Sequence, residues 1–232
     1  MTLKILSDIW KLFFPPCCLL CGSRLSGNES HVCLKCLVRL PRTRFHHQEG
    51  NALEKNFWGK FPVKRASACF HYAKGSDVSR LVYGLKYDGN WRLGIFLGKC
   101  MANELLPDGF FRDVDYVIPV PLHERKRKER GYNQSEMLAQ GISEVTGIPV
   151  FKGLIVRKRY TETQTHKGSY ERWTNVEGVF ECVSAEELVG KHVLFVDDVL
   201  TTGATMVACA DALGSIPGLQ ISVLALAMAG AG

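Results

Sequence analysis

Residues 193–205, VLFVDDVLTTGAT, combine side chains that suit a ligand-binding site. An apolar run, typical of a buried strand, leads into Asp197 and Asp198, two adjacent carboxylates that repel each other and resist burial. The TTGAT that follows indicates the start of a helix, where backbone N–H groups and threonine hydroxyls attract phosphate, and Gly203 permits close approach to the backbone. A ribose 5-phosphate satisfies both halves, because its hydroxyls can donate hydrogen bonds to the carboxylates. The structural alternative is a capped helix preceded by two solvated acids.

Near the N-terminus, four cysteines have the spacing of a metal site. They are Cys18, Cys21, Cys33 and Cys36, which form two C-x-x-C pairs separated by eleven residues. Two such pairs supply four thiolates to one tetrahedral Zn²⁺ ion, and a site closed by four protein ligands stabilises a fold and does no chemistry. Cys17 can replace Cys18, and His31 is a spare ligand, while disulfides or a redox pair are the alternatives. Another pair that can bind metal, His46 and His47, falls in a polar stretch that a solvated linker explains more simply.

Positive charge is concentrated in one part of the chain. The net charge is +6, and between residues 120 and 175 there are eleven Lys and Arg against six Glu. A local basic surface favours anionic partners, which are phosphates, nucleic acid or both. Its densest part is HERKRKERG at residues 123–131, for which a merely solvated loop is the alternative interpretation.

The rest of the chain alternates between strand and helix patterns. Strands are predicted at SACFHY, VDYVIPVP, VFKGLIVRK, EGVFEC, the apolar run before Asp197, and ISVLALAMA. Helices are predicted at SDVSRLVYGLKY, LGIFLGKCMANELL and SEMLAQGISEVTG, the last with Ser135 as its N-cap, and HERKRKERGYNQ is predicted to be a loop. This alternation predicts an α/β fold with a largely parallel sheet flanked by helices, which binds ligands at the carboxyl ends of its strands.

The first 45 residues differ from this pattern. We expect a short amphipathic helix and the four-cysteine module in residues 1–45, a connector in residues 46–65 and the α/β domain in residues 66–232. No secretion signal is recognisable, because Asp8 and Lys11 interrupt the first apolar run. No segment has the roughly eighteen apolar residues of a spanning helix. The sequence therefore predicts a cytoplasmic protein without membrane insertion.

Several motifs together resemble a known family. VLFVDDVLTTGAT is similar to the 5-phosphoribosyl-1-pyrophosphate (PRPP) motif of type I phosphoribosyltransferases. The cysteine pairs after FFPP, LKY at residues 85–87, VPLH…RGYNQS at residues 120–135 and R-x-T-x-x-Q…R-x-x-N…F at residues 159–180 resemble the ComF family. These are competence-associated proteins related to amidophosphoribosyltransferases, and the resemblance covers nearly the whole chain. One departure is Lys126, where the family tends to have arginine; lysine keeps the charge and loses the bidentate fork.

The resemblance implies a type I phosphoribosyltransferase-like fold that binds PRPP with Mg²⁺ and transfers a phosphoribosyl group with release of pyrophosphate. The implied catalytic residues are Asp197 and Asp198, and the implied PRPP-binding turn is Val199, Thr201, Thr202, Gly203, Ala204 and Thr205. The residues expected to contact pyrophosphate or another anion are Lys86, Arg125, Lys126, Arg130, Asn133, Arg159 and Gln164. Residues 122–133 form the expected pyrophosphate loop, and residues 159–175 the expected flexible lid. Mg²⁺ would be held mainly by ligand oxygens and water.

The family's association with DNA uptake implies a second interpretation. In natural competence the same fold and basic surface would handle single-stranded DNA, together with the zinc module. PRPP binding places the protein in nucleoside metabolism, whereas salt-sensitive DNA binding places it in DNA uptake. The two interpretations do not exclude each other.

Overall fold

The computed structural model describes residues 15–157 and 179–230. The N-terminal amphipathic helix and the lid segment with Arg159 and Gln164 are predictions that lie outside these residues. The α-helices are α1 (Leu34–Arg39), α2 (Ala52–Lys55), α3 (Asp77–Tyr87), α4 (Trp91–Leu105), α5 (Glu124–Arg130), α6 (Gln134–Thr146) and α7 (Ala204–Leu213). The strands are β1 (Val63–Tyr72), β2 (Tyr116–Pro119), β3 (Ile155–Arg157), β4 (Phe180–Cys182), β5 (His192–Leu200) and β6 (Gln220–Ala229). None of the helices in these described ranges combines the length and the apolar character that a membrane span requires.

Four of the strands form one parallel sheet in the order β1-β6-β5-β2. β5 and β6 are interior strands and are buried over most of their length, which explains their continuous apolar runs. β3 and β4 pair antiparallel in a separate two-stranded sheet. The prediction of an α/β fold with a largely parallel sheet flanked by helices is confirmed.

Each face of the main sheet has its own apolar core. Alternate residues of β5 serve the two cores: Leu194 and Val196 pack with α3, α4 and α6, whereas Val193 and Phe195 pack with α2 and α7. This division follows from the period of two along a strand, which sends successive side chains to opposite faces. The strand that carries the two aspartates is therefore anchored from both sides.

Two glycines allow α4 and α6 to pack with their backbones in contact. A Cβ atom at Gly98 would lie 2.2 Å from the Leu138 carbonyl oxygen, and one at Gly141 would lie 2.1 Å from the Ile95 carbonyl oxygen. No side chain fits at either distance, so both positions require glycine. The close packing fixes the position of α6, whose first residues lie next to the aspartates.

The basic segment that was predicted to be a loop forms instead the seven-residue helix α5. The His123 Nδ1 atom accepts a hydrogen bond from the Arg125 N–H at 3.2 Å, which caps the first turn. Gly131 ends the helix in the left-handed conformation, with φ of 80°. Within the helix, Arg125 and Glu129 form an ion pair of 3.1 Å at i, i+4 spacing. The cap, the C-terminal glycine and the ion pair make the segment helical although it has no apolar face.

The N-cap of α6 is Asn133, and the prediction of Ser135 was wrong. The Asn133 Oδ1 atom accepts a hydrogen bond from the Ser135 N–H at 3.1 Å, and the Asn133 Nδ2 atom donates to the Val120 carbonyl oxygen at 2.9 Å. The amide therefore joins the helix start to the residue after β2, which needs a donor and an acceptor on one side chain. The hydroxyl of Ser135 is left free for another contact.

Two further segments differ from the sequence-based expectation. The strand expected at VFKGLIVRK is limited in the described residues to an isolated bridge at Val150 and to β3, because Gly153 adopts a left-handed φ of 77° between them. The stretch expected to be a connector includes a 3₁₀ turn at Phe45–His47, helix α2 and the start of β1. Its Leu53 and Phe57 side chains are fully buried in the core that includes α7.

Candidate functional site

The two aspartates lie at the carboxyl edge of the main sheet. β2 ends at Pro119, which pairs with Val196, so Asp197 and Asp198 extend beyond the neighbouring strand. On the other side β6 continues alongside them, with Ala225 opposite Asp197. The carboxylates are therefore held on a rigid strand, beside the position that β2 leaves open.

Asp197 is stabilised by two hydrogen bonds to a single carboxylate oxygen. The Ser135 hydroxyl donates to Oδ1 at 2.9 Å, and the Asp198 backbone N–H donates to the same atom at 2.8 Å. Burial and the adjacent Asp198 carboxylate nevertheless raise the pKa of Asp197 from its usual 3.8 to about 7. The carboxyl group of Asp197 therefore titrates near neutral pH.

Asp198 has a cation as its partner. The Lys86 ammonium, at the end of α3, lies 2.9 Å from the Asp198 Oδ2 atom, and the two side chains are only 23% and 11% exposed. This lysine offsets the burial of the second carboxylate. The two aspartates are therefore not equivalent, because Asp198 forms an ion pair and Asp197 accepts hydrogen bonds from uncharged donors.

The turn after β5 leads directly into helix α7. Gly203 is the N-cap residue of α7 and has φ of 75°. Residues that carry a side chain rarely adopt this backbone conformation. A Cβ atom there would also lie 2.8 Å from the Phe57 ring, so both backbone and space require glycine. Thr201 and Thr202 are exposed on this turn, and the partly buried Ala204 and Thr205 begin the helix. The prediction that this segment opens a helix is confirmed.

The basic helix α5 presents most of its cations to solvent. Arg125 and Lys126 are exposed, and the Arg125 side chain is 80% exposed despite its ion pair with Glu129. Arg130 is held more firmly, since it donates to the Gln134 Oε1 atom at 2.7 Å and its guanidinium lies 5.5 Å from the centre of the Tyr87 ring. Arg125 and Lys126 are therefore accessible to an anion, and Arg130 connects α5 to α3 and α6.

Between β2, α5 and β3 lies a cavity of about 310 Å³. Its charged lining includes Arg127 and Arg157, and Arg127 lies 3.5 Å from Glu136. Arg157 was not singled out from the sequence, because it ends a short strand without a recognisable motif. Asn133 also lines the cavity, although both ends of its amide already have protein partners.

Residues of the RGYNQS motif make contacts that the sequence did not indicate. Ser135 supplies the hydroxyl that holds Asp197, and the motif itself was the signal that could have found it. The Tyr132 hydroxyl donates to the Leu85 carbonyl oxygen at 2.6 Å and so fixes the residue before Lys86. The motif therefore organises the surroundings of both aspartates.

The four predicted cysteines come together in the N-terminal module. Their sulfur atoms lie within 4.8 Å of one another, and the Cys21 and Cys33 sulfurs are 3.8 Å apart. Four thiolates at the usual Zn–S distance of about 2.3 Å lie about 3.8 Å from one another in a tetrahedron. Hydrogen bonds from Ser23 lower the pKa of Cys21 to about 6, so one thiolate is available at neutral pH. The arrangement is compatible with a zinc site.

The alternative ligands of this cluster lie outside it. Cys17 is exposed, and its thiol donates to the backbone carbonyl oxygen two residues earlier at 3.3 Å. Cys18 is buried, and its sulfur accepts the Cys33 N–H at 3.3 Å. His31 instead lies 3.5 Å from the Asn90 amide. Position thus favours Cys18 over Cys17 as the first ligand.

The cysteine module is fixed to the α/β domain. Arg80 of α3 donates to the Leu20 carbonyl oxygen at 2.6 Å and to the Leu19 carbonyl oxygen at 3.0 Å. Leu20 and Leu25 also belong to the apolar core that α3 and α4 share. The module therefore packs against the helix whose last turn carries Lys86.

A comparison with known protein families matches the part of the chain that carries the two aspartates. The family model described as "Phosphoribosyl transferase domain" matches residues 132–232, the part that includes α6, β5 and the aspartate turn. With the parallel sheet, this defines a protein of the phosphoribosyltransferase-like class. The chain is 35% identical over 215 residues to competence protein F of Haemophilus influenzae, a match that covers 92% of this chain and 85% of that protein. The chain belongs to the competence protein F family.

Further relatives have related names. The DNA utilization protein YhgH of Escherichia coli K12 is 29% identical over 84% of this chain and 83% of its own length. The competence protein ComFC of Bacillus subtilis is 30% identical over 45% of this chain and 38% of its own length. Among solved structures, the glutamine PRPP amidotransferase of B. subtilis aligns with a TM-score of 0.37 at 25% identity, over 56% of this chain and 25% of its own.

Proposed function

We propose that this protein binds PRPP with Mg²⁺ at the carboxyl edge of β5 and transfers the phosphoribosyl group with release of pyrophosphate. The observation that supports this most is the pair Asp197 and Asp198 on a buried strand, followed at once by the Gly203 turn at the start of α7. Carboxylates are suited to the ribose hydroxyls. The turn is suited to the 5-phosphate, because the first backbone N–H groups of a helix have no acceptor within it.

Each aspartate has a different part in this proposal. Asp198 is paired with the Lys86 ammonium and accepts hydrogen bonds from the sugar. Asp197 loses its proton as the ligand binds, because hydrogen bonds from the ribose hydroxyls favour the charged form. Ser135 orients the Asp197 carboxylate.

We assign the leaving pyrophosphate to Lys86, which contacts Asp198, and to exposed cations of α5. Lys86 uses one of its three N–H donors on Asp198 and can direct another to a phosphate oxygen. Arg125 and Lys126 of α5 are accessible to the same anion, with Arg130 positioning the helix. Breaking the bond between the sugar C1 and pyrophosphate creates positive charge on the sugar and negative charge on pyrophosphate, and these cations stabilise the latter. Bound Mg²⁺ would add to that stabilisation.

Calorimetric titration of the full chain with PRPP and Mg²⁺ tests the proposal. Thr202→Val removes an exposed hydroxyl from the turn at nearly constant size, and should weaken PRPP binding by roughly three- to tenfold, the value of one hydrogen bond. Thr146→Val is the matched control, since the Thr146 hydroxyl donates to the Ile142 carbonyl oxygen at the far end of α6. No heat with PRPP in the wild type, or equal affinities for the two variants, would refute the assignment.

For the N-terminal module we propose one structural Zn²⁺ ion held by Cys18, Cys21, Cys33 and Cys36. The fit of the sulfur spacing to a tetrahedral thiolate site supports this.

We propose that residues 1–45 form the helix and zinc module and that residues 66–232 form the phosphoribosyltransferase-like domain. A cytoplasmic location is also proposed, because a reducing compartment keeps the four clustered thiols available as zinc ligands.

A second candidate function, binding of single-stranded DNA, is favoured by an exposed aromatic surface that begins on α3. Tyr83 and Tyr87 are 59% and 62% exposed, and their ring centres are 4.8 Å apart. Arg130 lies over Tyr87, and Arg92 lies 4.5 Å from the centre of the exposed Trp91 ring. Aromatic rings next to cations form the kind of stacking platform that binds single-stranded nucleic acid. The names of the relatives suggest competence or DNA utilization as the setting.

Anisotropy titrations with a labelled oligo-dT strand test this candidate. Tyr83→Ala combined with Tyr87→Ala should weaken DNA binding by at least about tenfold, because each stacked base contributes about 1–3 kcal/mol. Trp58→Ala is the matched control, since Trp58 is 60% exposed beside Lys55 on another part of the surface. Neutralising the four cations of residues 125–128 together should reduce the salt dependence of binding. Equal losses in the tyrosine and tryptophan variants would argue against a specific platform.

A further inference from the structure

We propose that His46, His47 and Asp108 form a second metal site, for a divalent transition ion of the Zn²⁺ type, with one coordination position open to a cavity. These residues belong neither to the cysteine module nor to the aspartate edge. The histidines lie in the 3₁₀ turn Phe45–His47, and the aspartate lies in the segment between α4 and β2. The fold brings these two distant parts of the chain together.

The distances between the ligand atoms are close to the spacing around a small tetrahedral ion. The His46 Nε2 atom is 3.3 Å from one Asp108 carboxylate oxygen, and the His47 Nδ1 atom is 3.6 Å from the other. The ligand atoms of all three residues lie within 4.8 Å of one another. A tetrahedral Zn²⁺ ion with bonds of about 2.0–2.2 Å holds neighbouring ligand atoms about 3.3–3.6 Å apart. Because the two distances end on different oxygens of Asp108, a rotation of the carboxylate would bring one ion within reach of all three side chains.

Arg65 holds the two ligand-bearing segments in place. Its guanidinium donates to the His46 carbonyl oxygen at 3.0 Å and to the Gly109 carbonyl oxygen at 3.3 Å. It also lies 4.8 Å from the centre of the buried Phe110 ring. One planar side chain thus connects the histidine turn to the residue after Asp108. The site is organised by the fold rather than formed by flexible surface groups.

The three side chains form a wall of an open cavity. The His46 side chain is 3% exposed, whereas those of His47 and Asp108 are 51% and 34% exposed. The cavity beside them has a volume of about 510 Å³, and Lys64 and Glu49 also line it. Two imidazoles and one carboxylate leave a fourth position for water or for an anionic ligand, as in zinc sites that are not purely structural. The donor set contains no thiolate and so differs from the cysteine module.

The two imidazoles converge on a single carboxylate. Their ring centres are only 4.1 Å apart, and each ring presents a nitrogen to a different oxygen of Asp108. Two separate hydrogen bonds to the carboxylate are the alternative explanation. A shared cation differs from them because one ion then contacts all three side chains, which accounts for the close approach of the two rings.

Calorimetry with Zn²⁺ tests the proposal, using full-length protein whose cysteine site has first been filled with one equivalent of zinc. The wild type should bind one further equivalent. His47→Asn and Asp108→Asn should each weaken that second binding event by at least about tenfold, because each removes a direct ligand and even outer-shell partners of a metal are worth that much. His71→Gln is the matched control, an exposed histidine of β1 whose ring contacts Phe45 but lies outside the cluster, and should bind as the wild type does. Both ligand positions are partly exposed, so the variants should keep the wild-type circular dichroism spectrum.

Three results would overturn the proposal. The first is a wild type that takes up no second equivalent. The second is unchanged binding in both ligand variants, which would locate the ion elsewhere. The third is an equal loss in the control, which would mean that any histidine removed from this part of the surface has the same effect.

Discussion

The two aspartates should respond in opposite directions when each is replaced by asparagine. Asp197 has its pKa raised from 3.8 to about 7, so the folded protein holds a proton that the unfolded chain gives up. The stability contributed by this group is therefore complete below pH 3.8 and is lost as the pH rises towards 7. Asp197→Asn keeps the neutral form at every pH. It should stabilise the protein at pH 8 and have little effect at pH 4.

The size of the effect follows from the pKa. The difference between the usual pKa of 3.8 and about 7 sets an upper limit of about 4 kcal/mol on the gain in unfolding free energy, because each pKa unit corresponds to about 1.36 kcal/mol. If half of it is realised, a gain of about 2 kcal/mol raises the melting temperature by about 4–8 °C in a chain of this length. Asp198→Asn should do the reverse, because it leaves the Lys86 ammonium without the carboxylate that lies 2.9 Å away. The loss of a charged hydrogen bond corresponds to about 1.5–3 kcal/mol.

Thermal melts of the ligand-free protein at pH 4, 6 and 8 measure both effects. Glu187→Gln, at an exposed carboxylate, is the control for a change from acid to amide and should shift the melting temperature by under about 2 °C. The reasoning is refuted if Asp197→Asn destabilises at pH 8, or if its effect is the same at pH 4 and pH 8. It is also refuted if the two aspartate variants behave alike.

Three further predictions concern the ligand, the zinc module and the packing of helices. PRPP affinity should rise between pH 6 and 8 more steeply in the wild type than in Asp197→Asn, because only the wild type must release the Asp197 proton; equal slopes in calorimetry would contradict this. Purified protein should contain one tightly held zinc that Cys33→Ser releases, whereas Cys17→Ser retains it; elemental analysis of both variants decides the ligand set. Gly141→Ala should lower the melting temperature strongly, because a Cβ atom would lie 2.1 Å from the Ile95 carbonyl oxygen, while Gly230→Ala, which meets no atom within 4 Å, should not.

Much of the fold could be predicted from local patterns. The continuous apolar runs of β5 and β6 indicated buried parallel strands, since a strand covered on both faces has no polar alternation. The basic segment was misjudged because its helix depends on a cap at His123 and a left-handed glycine at Gly131 rather than on an apolar period. The prediction of Ser135 as the N-cap of α6 was wrong because the cap depends on a tertiary contact. Asn133 accepts from the Ser135 N–H and also donates to the Val120 carbonyl oxygen just after β2.

The sequence predicted the residues of the candidate site that stand in one motif, but not the tertiary contacts between them and other parts of the chain. Asp197, Asp198 and Gly203 stand in one motif, so their types and spacing could be recognised without knowing the fold. Lys86 was expected to meet an anion, but its contact with Asp198 depends on where α3 ends relative to β5. The histidine pair near residue 46 looked like a linker until the fold placed Asp108 beside it.

The sequence by itself determined the features that depend on neighbours in the chain: the strand and helix periods, the C-x-x-C pairs and the carboxylate turn with its glycine. The tertiary structure alone decided which polar groups meet. Lys86 with Asp198, Ser135 with Asp197, and Arg65 with the Gly109 carbonyl are each joined across at least 44 residues of the chain. The reason is physical, because the strength of an electrostatic contact depends on distance and burial, and neither quantity exists until the sheet and its helices have packed.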